Sequence, residues 1–212
     1  MKKAEPQPSP PGRRQKRAEQ TRVKLVRCAL RLIARRGLAN VTVEDITEAA
    51  DVGKGTFFNY FESKEQVLGV LAEMQLARIR SAEELAGKGG RPIQAILKKL
   101  MRDLAVEPGR NPRIAQAMLS SSLADKRVRG AFRGHMLQER KLIGGIVAAG
   151  QQRGEIDRKL RRDAVAAQLL QVYLGAVLAW AVEERPALST LLSNSFNHCW
   201  RAISAPRKVK RR

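Results

Sequence analysis

Residues 42–68 read TVEDITEAADVGKGTFFNYFESKEQVL, and these 27 positions decide the fold. Thr42 stands ahead of an acidic, apolar-periodic run. Its hydroxyl is placed to cap a helix over 43–50 by accepting from the amide of Glu44 or Asp45. Glu44 and Asp45 suit the positive end of that helix. Val43, Ile46, Ala49 and Ala50 form its inward side. Asp51 and Val52 make a tight turn, and a short third helix follows over 53–60. Val52, Phe57 and Phe61 are its buried anchors. Ser63 to Gln66 has the S-x-x-Q form of a capping box and opens a fourth helix reaching about residue 85. Two short helices joined by a tight turn form a helix-turn-helix, the device that lays a helix in the major groove of DNA.

The third helix contains two glycines, which would weaken an ordinary helix. Gly55 makes sense where a backbone must come close to a bulky group such as a phosphate. Lys54 and Thr56 project from the first turn toward bases or phosphates, since lysine reads guanine and a threonine methyl touches thymine. Asn59 and Tyr60 offer polar ends further along. Lys64, in the first turn of the next helix, opposes the helix dipole, and a nearby phosphate would offset that.

Outside this segment the pattern is helical throughout. Leu25, Ala29, Leu32 and Ile33 make an apolar stripe on a helix over 17–36, with Lys24, Arg27, Arg31 and Arg35 on another side and Gly37 as its stop. Val67, Leu68, Leu71, Met74, Ala77 and Ile79 give the fourth helix an apolar side. Glycines 87, 89 and 90 break the chain. Helical patterns resume over 92–106, 112–119, 127–153, 163–184 and 187–202. No strand-like alternation and no internal repeat is visible. The fold class is therefore all-α, about nine helices. A three-helix helix-turn-helix domain spans 15–75, and a larger regulatory and dimerisation domain spans 76–204. Residues 1–14 hold four prolines and no periodicity, the signature of a disordered tail, and 205–212 form a basic tail.

The chain has 212 residues, 41 basic against 20 acidic side chains, and a net charge of +21. Nucleic acid is the first candidate for an anionic partner. The charge is uneven, however. Residues 18–62 carry seven basic and six acidic groups, so the excess lies in the two ends and the larger domain. Cys28 and Cys199 lack metal-ligand spacing and read as reduced thiols in a cytoplasmic protein. The charged, proline-rich start carries no signal-peptide pattern. Residues 164–182 run uncharged for 19 positions, long enough for a membrane span. Six alanines, Gln168 and Gln171 make the run only modestly apolar. A buried helix or dimer interface fits better, with Ala167, Gly175 and Ala179 letting another helix approach closely.

The segment Val52-Gly53-Lys54-Gly55-Thr56-Phe57-Phe58-Asn59-Tyr60-Phe61, followed by Ser63-Lys64-Glu65, resembles the third-helix pattern V-S-K-G-T-L-Y-Y-H-F and S-K-E of the TetR (AcrR-type) family of bacterial regulators. The resemblance covers roughly residues 15–75. It implies that Thr42 and Lys64 bind phosphate and that Lys54 and Thr56 lie closest to the bases. Gly55, Phe58, Asn59 and Tyr60 complete the DNA-facing set. Three positions depart from the pattern. Asp51 stands where the turn usually has glycine, and aspartate tolerates left-handed geometry. Gly53 replaces a serine cap. Phe58 replaces a tyrosine and cannot donate to a phosphate, although Tyr60 offers a phenol nearby. Arg13, Arg14, Lys16 and Arg17 form a basic arm suited to phosphate or minor-groove contact.

The resemblance further implies a homodimer through 163–184 and 187–202, and a pocket for a small-molecule effector among the middle helices. Met101, Met118, Phe132, Met136, Tyr173 and Trp180 are the candidate pocket residues; His135 reads as a surface or core histidine. The expected function is a ligand-responsive repressor that binds a near-palindromic DNA operator as a dimer, in the cytoplasm and with no membrane partner. The alternative is a non-specific nucleic-acid binder using the tails. No cofactor, metal or enzymatic activity is expected. Gly53-Lys54-Gly55-Thr56 is superficially similar to a phosphate loop, but Glu48 stands where its first glycine is needed and Gly55 where Ser or Thr must follow the lysine. No G-x-S-x-G or HExxH motif occurs.

Overall fold

A computed structural model describes residues 12–124 and 126–206, with backbone only for 13–16. The proline-rich tail, apart from its last three residues, and the basic tail beyond residue 206 lie outside the described residues. Nine α-helices run through the described chain: α1 Arg13–Arg36, α2 Val43–Ala49, α3 Lys54–Phe58, α4 Gly69–Lys88, α5 Ile93–Ala105, α6 Pro112–Ala124, α7 Lys126–Gln152, α8 Arg162–Glu183 and α9 Leu188–Ile203. Extended pairing among the described residues is limited to one isolated bridge, Ile156 with Ser204. The first helix begins four residues earlier than its apolar stripe indicates. Its start is set by backbone geometry, which the polar residues before Arg17 do not advertise.

Two apolar clusters organise these helices. The N-terminal cluster holds Leu25, Ala29 and Ile33 of α1, Ile46 of α2, Phe57 and Phe61 around α3, and Leu71 at the start of α4. Ile114 and Ala117 of α6 also join it. The second cluster is built from α5, α7, α8 and α9 with the rest of α4 from Ile79 onward. Helix α4 thus passes from one core to the other between Leu71 and Ile79, and α6 reaches back into the first. Helix α5 shows why the larger core closes: Ile93, Ile96, Leu97, Leu100 and Leu104 repeat at helical spacing and are all buried. Its first amide donates to the Glu155 carboxylate at 2.7 Å, which satisfies one orphan group at the helix start.

Local chemistry fixes the helix-turn-helix. Thr42 and Asp45 form a reciprocal cap, with the Thr42 hydroxyl accepting from the Asp45 amide at 3.1 Å and the Asp45 carboxylate accepting from the Thr42 amide at 2.8 Å. The inward side of α2 differs from the sequence reading at one position. Ala49 is exposed, and Thr47 is buried instead, its hydroxyl donating to the Glu44 carbonyl at 3.0 Å. The turn runs through Asp51 at φ 50. After α3 the chain makes a 3₁₀ turn over Glu65–Leu68 before α4. The expected capping box shifts by one residue there: Gln66 accepts from the amide of Glu62 at 2.8 Å rather than that of Ser63. On α4, Met74 and Ala77 face solvent, while Gln75 occupies the buried stripe between Leu71 and Ile79.

Asp51 holds a conformation that costs most L-residues about 1–2 kcal/mol. Asp51→Gly is expected to leave stability equal or raise it by about 0.5–1 kcal/mol. Asp51→Val should lower it by about 1–2 kcal/mol. Urea midpoints check this, and identical midpoints for all three proteins would mean that the turn carries no strain.

Candidate nucleic-acid interface and ligand cavity

Helix α3 is only five residues long and is held by one side chain. Phe57 is fully buried and meets Phe61 with ring centroids 5.4 Å apart and Phe58 edge-on at 5.5 Å. That anchor turns Gly53, Lys54, Gly55, Phe58 and Asn59 outward as an exposed set, with Thr56 half-buried beside them. Phe58 is a large apolar ring left 49% exposed at a surface otherwise suited to polar contact. Nothing inside the protein requires the two glycines. Gly53 has an ordinary φ of −71, and a Cβ added at Gly53 or Gly55 would meet no atom within 4 Å.

Each cation and cap near this surface already has an internal partner. Lys54 Nζ pairs with the Glu44 carboxylate on α2, and that hydrogen bond leads the effects holding the Glu44 carboxyl below its usual range. Asp45 is likewise lowered, first by the Thr42 amide and hydroxyl and then by Arg36, whose guanidinium lies 3.1 Å away. Thr42 is exposed while its hydroxyl completes the cap. Lys64 Nζ donates to the carbonyls of Leu38 at 2.9 Å and Val41 at 2.7 Å, closing the 3₁₀ turn at Leu38–Asn40. Its place against the helix dipole therefore has an internal cause. Tyr60 packs on the N-terminal core and lines a cavity behind α3.

That cavity, about 680 Å³, lies where α4, α6, α7 and α8 meet the end of the helix-turn-helix. Met118, Phe132 and Tyr173 line it, and so does His135. Met101 and Trp180 do not; they are buried in the larger core, against which Met136 packs half-buried. The inner wall is polar in an unusual way. Gln75 on α4 donates to the Tyr173 hydroxyl on α8 at 2.5 Å, and Tyr173 donates to the Leu104 carbonyl at 3.4 Å. Glu139 on α7 is buried, and burial pushes its carboxyl up to about 7. The nearby Tyr173 phenol is raised, chiefly by burial and next by the Glu139 charge. The Ser121 hydroxyl oxygen is buried without a hydrogen-bond partner among the described residues.

Residues 25–71 match the model of the bacterial regulatory proteins, tetR family. That match covers the helix-turn-helix segment, which is of the TetR type. The regulator TcmR of Streptomyces glaucescens is 39% identical over 93 residues, 42% of this chain and 39% of TcmR. The repressor DhaR of Mycobacterium sp. strain GP1 is 28% identical over 164 residues, 75% of this chain and 81% of DhaR. The chain therefore matches about two fifths of TcmR and most of DhaR. Among solved structures, Thermus thermophilus FadR in complex with lauroyl-CoA, a TetR-family repressor, is 26% identical with a TM-score of 0.67, covering 90% of this chain and 98% of FadR.

Two polar residues of the cavity, Gln75 and Glu139, escaped the sequence reading although their positions signal them. Gln75 sits on the 71–75–79–82–86 stripe of α4, and Glu139 on the 132–139–143–146–150 stripe of α7. A polar group on an apolar stripe is either paired or facing a cavity. Helix α8 passes the length and hydropathy test for a membrane span, but Val165, Leu169, Tyr173, Val177 and Trp180 bury one side of it in the larger core. Cys28 is buried, its thiol donating to the Ala49 carbonyl at 3.2 Å, whereas Cys199 is only half-buried.

Gly55 separates folding from binding. Gly55→Ala is expected to stabilise the domain by about 1 kcal/mol through helix propensity, and to weaken DNA binding because the new methyl stands on the outward surface. Melting curves and a DNA gel-shift check both, and unchanged DNA affinity would mean that the helix backbone does not approach DNA. Glu139 makes stability depend on pH. Its folded pKa of about 7 exceeds the ordinary 4.5, so the folded state holds the proton more tightly and loses stability as pH rises through that window. Stability of Glu139→Gln relative to the parent should grow by on the order of 2–3 kcal/mol between acid and mildly alkaline pH. A pH-independent difference in urea denaturation would place the carboxyl in water.

Proposed function

We propose that the protein is a ligand-responsive repressor: a homodimer that reads a near-palindromic DNA operator and releases it when a small molecule fills the cavity. The observation that carries this reading is the outward set on α3, Lys54, Gly55, Thr56, Phe58 and Asn59, fixed by a buried Phe57 and free of any internal need for its glycines. In the DNA complex Lys54 would exchange Glu44 for a base edge or phosphate, and Thr42 would face the backbone. The partly buried Lys64 and Tyr60 would act mainly by holding the reading helix in place.

The dimer is supported by α8. Its exposed side carries Ala164, Gln168, Gln171, Gly175, Leu178 and Val182 at alternating spacings of four and three. Leu178 is 54% and Val182 74% exposed, and a Cβ at Gly175 would meet nothing within 4 Å. Uncharged, small-to-apolar and heptad-spaced, this stripe suits a second copy packed alongside, with α9 beside it. Coupling to ligand is supported by Gln75. It sits on α4 one turn from Leu71 in the DNA-reading core and bonds to Tyr173 in the cavity wall. A ligand that displaces this bond shifts α4, and with it the separation of the two reading helices.

Selection of random duplexes by the full chain at near-physiological salt tests the reading. The expected result is a near-palindrome with half-sites about 34–36 Å apart, bound more weakly by Lys54→Ala by on the order of 1–3 kcal/mol. Recovery of no common sequence, with binding that vanishes as salt rises, would instead indicate a non-specific binder. Leu178→Glu with Val182→Glu should yield a folded monomer by light scattering with reduced operator affinity. A dimer that survives both charges would place the interface elsewhere.

A further inference from the structure

The chemistry of the cavity narrows the class of effector. The chain as a whole carries +21, yet its cavity is lined by four acidic groups, Glu62, Glu65, Glu73 and Glu139, against three basic ones, Arg22, Lys126 and Arg127. The bases are not spread evenly over the site. Arg22 pairs with Glu73 at 2.7 Å and Arg127 with Glu62 at 3.7 Å, all four on partly or fully exposed side chains. Deeper in, Glu139 is 7% exposed, and among the described residues no side chain gives it a hydrogen bond or ion pair. Elsewhere in the cavity lining, on α6, Ser121 is 5% exposed with its hydroxyl oxygen unpartnered among the described residues. Gln75 and Tyr173 do not neutralise the acid, because their strongest bond is to each other. A buried carboxyl and a buried hydroxyl without partners are both costly, and both line a cavity large enough for an organic molecule.

We propose that this cavity takes a lipophilic organic ammonium ion, its charged N–H group paired with the Glu139 carboxylate and its apolar body against Phe132, Met118 and Leu119. This rests on the ligand-responsive reading above and names the class of that ligand. The ammonium supplies what Glu139 lacks, a positive charge to pair with its carboxylate. An organic anion would meet an uncompensated acid in a low-dielectric site, and a neutral alcohol would leave the charge of the ionised form unmatched.

The binding carries a pH signature with a defined sign. The Glu139 carboxyl, raised to about 7 by burial, must lose its proton to pair with the cation. Ammonium affinity therefore rises with pH through that value and levels off above it. The other ionisable groups around this wall are His135 on α7, Glu73 and Arg78 on α4, and Tyr173 on α8, whereas α6 contributes only neutral serines and apolar side chains. Arg78 is held by the Asp103 carbonyl at 2.7 Å and by Glu107 at 3.8 Å. The Glu139 variant is what assigns the effect to this carboxyl.

Three probes of one shape decide it: 1-naphthylmethylammonium, 1-naphthalenemethanol and 1-naphthoate, titrated calorimetrically into the full chain at mildly alkaline pH. The ammonium is expected to bind about tenfold or more tighter than the other two, and its advantage should shrink as pH falls below 7. Glu139→Gln should abolish the preference and its pH dependence while keeping the affinity for the alcohol. The pH dependence of the parent chain supplies a second reading if the Gln variant does not fold. Equal or tighter binding of the alcohol or the carboxylate, or a preference that survives Glu139→Gln, overturns the ammonium assignment and leaves the cavity a ligand site of another class. Failure of all three to bind overturns both the assignment and the ligand-binding role of the cavity. Ammonium binding that leaves operator affinity unchanged upholds the site and sinks the regulatory reading instead.

Discussion

The bond from Gln75 to Tyr173 crosses between the two cores, alongside the helices α4 and α6 that contribute side chains to both. Gln75 is buried on α4 at the level where that helix leaves the DNA-reading cluster and enters the larger one. A polar side chain at such a place is tolerated only if its hydrogen bonds are made, and Tyr173 meets that need at 2.5 Å. The pair fixes the rotation and depth of α4 against α8. Helix α4 begins beside the end of the helix-turn-helix, so the direction in which α3 faces follows from the same contact.

The two ends of this arrangement are built on different physical terms. Around α3, the geometry comes from one buried aromatic anchor, the local cap of Thr42 with Asp45 and the longer-range bonds of Lys64 to the carbonyls of Leu38 and Val41. The polar groups there are paired. The cavity has the opposite character. Its wall holds a serine oxygen and a carboxyl without a hydrogen-bond partner among the described residues. Stability is given up there, in the place where a bound molecule would restore it.

Much of the molecule was legible before any coordinates. The nine helices, the Thr42 cap, the Asp51 turn and the buried Phe57 all follow from residue types at fixed spacing, because helix periodicity and capping are local properties of the chain. Where the reading went astray, the cause was a contact between elements distant in sequence. The carbonyl partners of Lys64, Leu38 and Val41, were not foreseen because they lie more than 20 residues away. Met101 and Trp180 were read toward a cavity because size alone does not say which side of a helix faces the void. Gln75 and Glu139 were passed over because a polar residue on an apolar stripe looks like an interruption until its surroundings are known.

By itself, then, the sequence determined the fold class, the helix order and the TetR-type helix-turn-helix. Only the tertiary structure decided which polar side chains are buried, which of them are paired, and where the cavity lies. The division has a physical reason. Propensity, capping and amphipathic period act over a few residues and are written along the chain, whereas burial of a carboxyl or a hydroxyl depends on what α4, α6, α7 and α8 place around it once they have packed.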